Sequence, residues 1–231
     1  MKSARELDGI RRATHAAQLG LQAAREALEP GRTCEELRTI VRSAVEPHAA
    51  LGEFIVAHGP QTATGHGPGS GPIQPGEPVI VDLAPQDRET ATFSDIARTF
   101  VVGEPDPEIA RWHQLVLEVL EDAIAHVKPG VDGRELYARA CDRFEGEGFP
   151  TQRKPGEHVM EGFPTALGHG VGLEVHEAPS LGRSGDELVA GDVITIEPFL
   201  CRPGFGGVQV EEILLVTDTG AERLSDFTRS L

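Results

Sequence analysis

Residues 28–37 read Leu-Glu-Pro-Gly-Arg-Thr-Cys-Glu-Glu-Leu, and residues 127–136 read Val-Lys-Pro-Gly-Val-Asp-Gly-Arg-Glu-Leu. In each segment Pro-Gly is followed by Thr33 or Asp132, which stands three residues before a glutamate. Pro-Gly is typical of a helix end, and Thr or Asp followed three residues later by Glu is the capping-box pattern of a helix start. Both segments therefore predict a helix, a Pro-Gly turn and a second helix.

The two segments belong to a longer repeat. Residues 8–37 and 107–136 align without a gap at a constant offset of 99. The identical pairs are Ile10/Ile109, Arg12/Arg111, Leu21/Leu120, Ala24/Ala123, Pro30/Pro129, Gly31/Gly130, Glu36/Glu135 and Leu37/Leu136. Such a repeat indicates gene duplication, so we expect one domain over residues 1–231 that is built from two halves at about 1–103 and 104–231.

Each half continues with a Gly-His-Gly turn and a run of β-forming residues that ends in an acid. Gly65-His66-Gly67 in the first half corresponds to Gly168-His169-Gly170 in the second. Val79-Ile80-Val81-Asp82 corresponds to Val193-Ile194-Thr195-Ile196-Glu197. An acid that interrupts an apolar run is costly to bury without a counter-ion. The pattern therefore favours a metal site.

A second acid follows in each half. Asp95 lies 13 residues after Asp82, and Glu211 lies 14 residues after Glu197. This spacing suits two paired strands joined by a turn, which brings both acids of one half to the same face of a sheet. The order of helices then strands, twice, predicts an α+β fold with helices packed on one face of a mostly antiparallel sheet. Two halves that face each other would gather four carboxylates.

The composition excludes several classes of protein. The chain carries 37 Asp and Glu against 21 Lys and Arg, and its formal net charge of −16 disfavours nucleic-acid binding. No apolar run approaches the ~20 residues of a membrane helix, and the start lacks the apolar core of a signal peptide, so we expect no membrane association. Cys34, Cys141 and Cys201 are odd in number and lack CxxC spacing. They fit a reducing, cytoplasmic location better than a disulfide framework.

The four carboxylates and the imidazole of His169 indicate which metal ions the predicted site could bind. Oxygen-rich ligand sets of this kind suit divalent metals, with Mn²⁺ or Co²⁺ favoured here and Zn²⁺ or Fe²⁺ left open. Two such ions ~3.5–4 Å apart can activate a water molecule and polarise a carbonyl, so the reaction needs no Ser or Cys nucleophile. The absence of a G-x-S-x-G signature agrees with this interpretation.

Three motifs resemble those of the pita-bread metallopeptidases, a family that includes methionine aminopeptidases, Xaa-Pro aminopeptidases and prolidases. Residues 168–179, Gly-His-Gly-Val-Gly-Leu-Glu-Val-His-Glu-Ala-Pro, are similar to the family's G-H-G-x-G-x-x-x-H-E-x-P. Residues 94–100 resemble its S-D-x-x-R-T-F, and residues 196–198 resemble its x-E-P. The resemblance extends over essentially the whole chain and implies two pseudo-symmetric halves of helices on a curved, mostly antiparallel sheet.

The resemblance also implies a set of metal ligands. Asp82 would bind one metal ion, and His169 with Glu197 would bind the other. Asp95 and Glu211 would bridge the two ions.

Catalytic roles are implied for three residues. Glu197 would take a proton from the bridging water as the general base. His66 and His176 would hydrogen-bond the substrate and the tetrahedral intermediate, a role for which histidine is suited near neutral pH.

This sequence departs from the family's pattern at several positions. Asp82 and Asp95 are further apart than usual, which leaves Asp87 or Glu89 as an alternative ligand. Thr165 stands four residues before His169, where the proline-directed branch usually has histidine. Gln209, two residues before Glu211, resembles the methionine branch instead.

Other features favour the proline-directed branch, although we expect the extra amino-terminal domain of that branch to be absent. These features are the sequence of residues 173–179 and the loop Arg202-Pro203-Gly204-Phe205-Gly206-Gly207. We therefore expect a dinuclear-metal exopeptidase of the Xaa-Pro aminopeptidase or dipeptidase type, acting on peptides. The alternatives are a methionine aminopeptidase-like enzyme and a catalytically inactive binding protein. A homodimer is plausible for this family.

Overall fold

The computed structural model describes residues 1–64, 67–154, 156 and 158–231. Its helices are α1 (Ala4–Ala27), α2 (Cys34–Val45), α3 (Pro107–His126) and α4 (Gly133–Gly146), and a short 3₁₀ helix covers Gly59–Thr64. Each predicted pair of helices is present, with a Pro-Gly turn between its members. In these turns Gly31 and Gly130 have φ of +85° and +84°, a left-handed conformation that favours glycine.

The two second helices begin differently. At α2 the predicted capping box is confirmed, because Glu36 N donates to Thr33 Oγ1 over 3.2 Å and Thr33 N donates to Glu36 Oε2 over 2.9 Å. At α4 Asp132 is the N-cap but accepts from Arg134 N over 2.8 Å. The Arg134 guanidinium also binds this carboxylate. The predicted capping box with Glu135 is therefore wrong, since a neighbouring cation holds the capping side chain.

The strands form antiparallel sheets, as predicted. Their bounds are β1 Ile55–His58, β2 Pro78–Leu83, β3 Ile96–Val101, β4 Gly168–Gly170, β5 Glu177–Leu181, β6 Val193–Ile196, β7 Phe199–Arg202, β8 Gly206–Gln209, β9 Glu212–Val216 and β10 Ala221–Arg223. One sheet has the order β1-β2-β3 and another the order β10-β9-β6-β4-β5, while β7 and β8 pair as a separate hairpin. Every pairing between these strands is antiparallel.

The connection between the second pair of acids differs from the prediction. A turn was expected between the strands of Glu197 and Glu211, and β6 does pair with β9. The chain between them, however, forms the β7–β8 hairpin. Gly204, with φ of +78°, lies in the tight turn of this hairpin, where left-handed backbone is needed.

Backbone contacts join the two halves next to the acids. Glu211 N donates to Ala97 O over 3.0 Å. Thr99 Oγ1 donates to Gln209 O over 2.8 Å and accepts from Gln209 N over 2.9 Å. These bonds hold β3 of the first half against the segment between β8 and β9.

Two apolar clusters support this arrangement. The first lies under α1 and α2 and includes Leu21 and Leu37, and the second lies under α3 and α4 and includes Trp112. On β6, Val193 belongs to the first cluster and Ile194 to the second, as expected for side chains that alternate between the faces of a strand. In the described ranges, no helix has both the length and the apolar character that crossing a bilayer requires.

Candidate active site

The four predicted acids lie at strand ends. Asp82 is the penultimate residue of β2 and pairs with Ala97, while Asp95 directly precedes β3. Glu197 directly follows β6, and Glu211 directly precedes β9. Because β2 pairs with β3 and β6 pairs with β9, each half brings its two acids together.

All four acids line one cavity of about 290 Å³. Its lining residues are Glu53, Phe54, Ile55, Asp82, Ala84, Asp95, Thr165, His169, Val175, His176, Glu197, Phe199, Gln209 and Glu211. Asp95 and Glu211 are buried, with 6% and 1% of their surface exposed, while the other predicted ligands are partly exposed. The predicted convergence of the two halves therefore occurs at this cavity.

His169 occupies the middle of β4, so the predicted Gly-His-Gly turn is wrong: this segment is a strand. Its glycines are needed for close approach, because a Cβ on Gly168 would collide with the Thr195 carbonyl and one on Gly170 with the Ala178 carbonyl. His169 Nε2 lies 3.3 Å from Glu197 Oε1 and 3.7 Å from Asp95 Oδ2. Burial lowers the pKa of His169 to about 4, so the imidazole is neutral near pH 7 and able to bind a metal.

The carboxyl groups have raised pKa values, since they are buried close to one another. Burial raises the pKa of Asp82 to about 6. Burial and the charge of Asp82 raise the pKa of Glu197 to about 8, although a hydrogen bond from Gln209 acts in the opposite direction. The pKa values of Asp95 and Glu211 are raised by burial and by the neighbouring acids. Burial and mutual repulsion thus disfavour four charged carboxylates in this cavity, although the charge of Arg98 acts in the opposite direction at Glu211.

The residues fit divalent metal ions. Among the residues that the structure describes, three sets have ligand atoms within 4.8 Å of one another: Asp95, His169 and His176; His169, Glu197 and Glu211; and Asp82, Asp95 and Glu211. Glu211 Oε2 is buried and has no hydrogen-bond partner within the described part of the chain. Cations would neutralise the carboxylates and give this oxygen a partner, which agrees with the donor set expected for Mn²⁺, Co²⁺, Fe²⁺ or Zn²⁺.

Of the two histidines predicted to contact the substrate, the structure describes His176 but not His66. His176 is exposed, and its ring centroid lies 4.1 Å from that of His169. It is therefore at the mouth of the cavity. His66 lies outside the described residues.

Asp87 and Glu89, the alternative ligands, lie beside Arg12 and do not line the cavity. Asp87 binds the Arg12 guanidinium through two hydrogen bonds of 2.9 and 3.0 Å and accepts from Thr90 N over 2.8 Å. These contacts hold the pKa of Asp87 well below its usual range. Glu89 is exposed and lies 3.6 Å from Arg12. The longer spacing after Asp82 is thus absorbed by a loop that Arg12 anchors, and Asp95 is the acid in the cavity.

Sequence reasoning missed the support that Arg98 gives to this site. Arg98 is 1% exposed, and its Nη1 donates to Glu211 O over 2.5 Å and to Ala97 O over 2.9 Å. Its Nη2 donates to Glu212 Oε1 over 2.8 Å, and its Nε donates to Thr228 O over 2.9 Å. The available signal was the second acid, Glu212, in an otherwise apolar strand, because a buried carboxylate needs a cation.

A polar cavity of about 330 Å³ adjoins the candidate site, and sequence reasoning missed it as well. Thr165 borders both cavities, and Tyr137, Gln152, Ser180, Arg183 and Ser184 are among the other lining residues. Arg183 is exposed, and no ion pair joins it to any residue of the described ranges. Nothing in its sequence context, Gly182-Arg183-Ser184-Gly185, distinguishes it from an ordinary turn arginine.

Known proteins resemble the chain along its whole length. The model of metallopeptidase family M24 matches residues 8–218. The Xaa-Pro dipeptidase of Pyrococcus horikoshii is 34% identical over 236 residues, and the alignment covers 100% of this chain and 64% of that protein. The chain therefore spans less than two thirds of the length of this relative.

Solved structures show the same fold. The crystal structure of the prolidase from Pyrococcus horikoshii matches with a TM-score of 0.90 and 34% identity, over 100% of this chain and 65% of that one. The X-Pro aminopeptidase from Thermotoga maritima matches with a TM-score of 0.88 and 27% identity, over 100% and 63% of the two chains. The expected pita-bread fold is confirmed.

Proposed function

The chain belongs to metallopeptidase family M24, and from this premise we propose that it is a dinuclear-metal exopeptidase that hydrolyses Xaa-Pro dipeptides. The observation that carries the proposal is the gathering of four acids and one histidine, from both halves of the chain, around one cavity. One buried carboxylate oxygen there, Glu211 Oε2, has no hydrogen-bond partner among the described residues. The similarity to an Xaa-Pro dipeptidase supports the choice of substrate.

Each ligand has a proposed role. Asp82 would hold one metal ion, His169 and Glu197 would hold the second, and Asp95 and Glu211 would contribute to both. Divalent ions in such a site supply Lewis acidity, which polarises the scissile carbonyl and lowers the pKa of a water molecule. We favour Mn²⁺ or Co²⁺, with Zn²⁺ and Fe²⁺ as alternatives that the same ligands accept.

Three residues act on protons and on the substrate. Glu197 is the general base: its Oε2 accepts from Gln209 Nε2 over 3.2 Å, which orients the carboxylate, while Oε1 faces His169. His176, exposed at the cavity mouth, donates to the substrate carbonyl as charge develops on it. His66 is proposed for the same task on the resemblance alone.

Arg183 favours a dipeptide over a longer peptide. A dipeptide places its free carboxylate one residue beyond the scissile bond, so a cation close to the catalytic cavity can recognise it. Arg183 lines the adjoining polar cavity, which meets the catalytic cavity at Thr165. We assign Arg183 to the carboxylate of the leaving residue.

Three wider expectations remain part of the proposal. The protein acts as one catalytic domain over residues 1–231 and in the cytoplasm, where its three free, buried cysteines would stay reduced. It binds peptides rather than nucleic acid or membranes, in keeping with its acidic composition. A homodimer is the proposed assembly.

The test is hydrolysis of Ala-Pro, Ala-Pro-Ala and Met-Ala-Ser by metal-stripped protein, with and without added Mn²⁺ or Co²⁺. We expect metal-dependent cleavage of Ala-Pro in preference to the other two. Cleavage of Met-Ala-Ser alone would support a methionine aminopeptidase-like enzyme. Absence of metal binding would support a catalytically inactive binding protein.

The carboxylate assignment has its own control. Arg183→Gln should raise KM for Ala-Pro by about tenfold or more, since a charge-assisted hydrogen bond contributes roughly 1.5–3 kcal/mol. Arg25→Gln removes another exposed arginine, at the end of α1, and should leave KM unchanged. Equal effects of both substitutions would reject the assignment.

A further inference from the structure

An apolar cavity of about 390 Å³ opens beside the catalytic cavity. The two share Thr165 and Phe199. The apolar side chains that line it include Pro60, Ala63, Val159, Met160, Phe199 and Cys201. A mainly apolar cavity that is continuous with a catalytic site is suited to a substrate side chain.

Hydrogen bonds preform two walls of this cavity. Phe199 and Cys201 on β7 are 4% and 2% exposed, and Ala63 of the 3₁₀ helix packs against them. The 3₁₀ helix is tied to β8, because Gly207 N donates to Thr62 Oγ1 over 2.6 Å. Cys201 and Gly162 exchange two backbone hydrogen bonds, of 2.8 and 3.0 Å. The cavity is therefore largely formed before a ligand binds.

Two features at its border suit a bound ligand. Thr165 Oγ1 is buried and has no hydrogen-bond partner in the part of the chain that the structure describes. An N–H or C=O group of a bound peptide would satisfy it. Met160 is 72% exposed, although it is one of the largest apolar side chains. Its unbranched thioether is adaptable and can close over substrates of different shape.

The position of the cavity indicates which part of the substrate it receives. It shares Pro164 and Thr165 with the polar cavity of Arg183. If Arg183 holds the carboxylate of a dipeptide, both cavities lie on the side of the leaving residue. The carboxylate then enters the polar cavity, and the side chain of the same residue enters the apolar one.

We propose that this cavity accepts a large apolar side chain on the leaving residue, so that Xaa-Leu and Xaa-Phe dipeptides are substrates beside Xaa-Pro. The inference rests on the proposed function. The chemistry is unchanged: the amide C–N bond breaks, water supplies a hydroxyl to the carbonyl carbon and a proton to the leaving nitrogen. A cavity of this size exceeds the needs of a pyrrolidine ring and leaves room for an isobutyl or benzyl group.

The test compares Ala-Pro, Ala-Leu and Ala-Phe with the Mn²⁺-loaded protein. We expect kcat/KM for Ala-Leu and Ala-Phe within about tenfold of that for Ala-Pro, the range that apolar pockets typically discriminate. Cleavage of Ala-Pro without cleavage of the other two would overturn the inference and leave the proposed function standing. Cleavage of none of the three would overturn both.

Two variants test the cavity itself. Ala63→Leu fills it from the 3₁₀ helix and should lower kcat/KM for Ala-Phe by about tenfold or more while that for Ala-Pro falls by less than about threefold. Met160→Ala removes an exposed side chain at the edge of the cavity, so it should leave the stability of the fold unchanged. It should raise KM for Ala-Phe but not for Ala-Pro. Val189→Ala, at a site 43% exposed, is the matched control and should change neither substrate. A uniform decrease for all substrates in both cavity variants would reject the assignment.

Discussion

The two halves of the chain contribute an acid pair each, but they hold these pairs differently. In the first half, residues 84–95 connect β2 to β3, and Arg12 anchors this loop through Asp87. In the second half, the connection from β6 to β9 is the β7–β8 hairpin, which carries Gln209 to Glu197. Between Ala84 and Asp95, which line the cavity, the first loop contributes no lining residue, whereas the second connection contributes Phe199 and Gln209.

The two halves therefore contribute different sets of side chains to the site. The first half supplies Asp82 and Asp95, which are held by their strands. The second half supplies Glu197 and Glu211 together with His169 and Gln209, side chains that can orient a base. The two halves share one architecture, but they do not contribute equally to the site. The proposed general base belongs to the second half, which supplies the additional polar side chains.

The largest effect should come from the proposed base. Glu197→Gln removes a ligand charge and the proton acceptor, so we expect kcat to fall by about 10³-fold or more while the protein stays folded. Steady-state kinetics with circular dichroism as the folding control would measure this. Near-normal turnover would contradict the role assigned to the second half.

A substitution at Arg98 should weaken the contact between the two halves, since Arg98 in the first half binds the Glu211 carbonyl in the second. Arg98→Met removes the 2.8 Å partner of the buried Glu212 carboxylate and leaves it Arg229 at 3.8 Å and a hydrogen bond from Ser225, so we expect a cost toward the lower end of the about 3–5 kcal/mol typical of a broken buried ion pair. It also frees the Glu211 carbonyl, so we expect both a lower Tm and weaker Mn²⁺ binding by calorimetry. Arg202→Met, which removes a partly exposed arginine paired with Glu108 and Glu161, should leave Mn²⁺ affinity unchanged. Unchanged Mn²⁺ affinity in Arg98→Met would mean that Arg98 stabilises the fold without positioning Glu211.

The pH dependence of the metal-free protein distinguishes Asp82 of the first half from Glu197 of the second. Asp82 and Glu197 have pKa values raised to about 6 and about 8 from ordinary values of 3.8 and 4.5. A carboxyl whose pKa rises on folding stabilises the fold below its unfolded pKa, and this contribution is lost as pH rises through the folded pKa. We therefore expect Tm to fall as pH rises from about 4 to 8, and Mn²⁺ to raise Tm more at pH 8 than at pH 5.

Single variants assign the steps of that pH profile. Asp82→Asn should remove part of the decrease between about pH 4 and 6, and Glu197→Gln should remove the decrease that continues from about pH 6 to 8. Thermal melts across this range in chelator would show it. A Tm that is flat with pH in the metal-free parent protein would contradict the crowding of carboxyls.

The smallest effect concerns specificity at the border of the second half. Thr165→His places a donor where the proline-directed branch usually has one and narrows the entrance to the apolar cavity. We expect kcat/KM for Ala-Pro to rise about threefold and that for Ala-Phe to fall, consistent with the modest discrimination of apolar pockets. No change for either substrate would mean that residue 165 does not shape the site of the leaving residue.

Local patterns predicted much of this architecture. The Pro-Gly segments placed four helices, and the acids in β runs identified the residues that line the cavity. The errors were also local. The Gly-His-Gly segment around His169 is a strand because its glycines admit neighbouring carbonyls, and the connection before Glu211 is a hairpin instead of a turn.

The sequence by itself determined which side chains carry charge, where helices begin and end, and which runs can form strands, since these depend on neighbouring residues. The tertiary structure alone decided that Arg98 supports Glu211, 113 residues away, and that Thr99 binds Gln209, 110 residues away. It also decided that Thr165 stands where three cavities meet. Such contacts depend on how two packed halves approach each other, and no local preference of the chain encodes that distance.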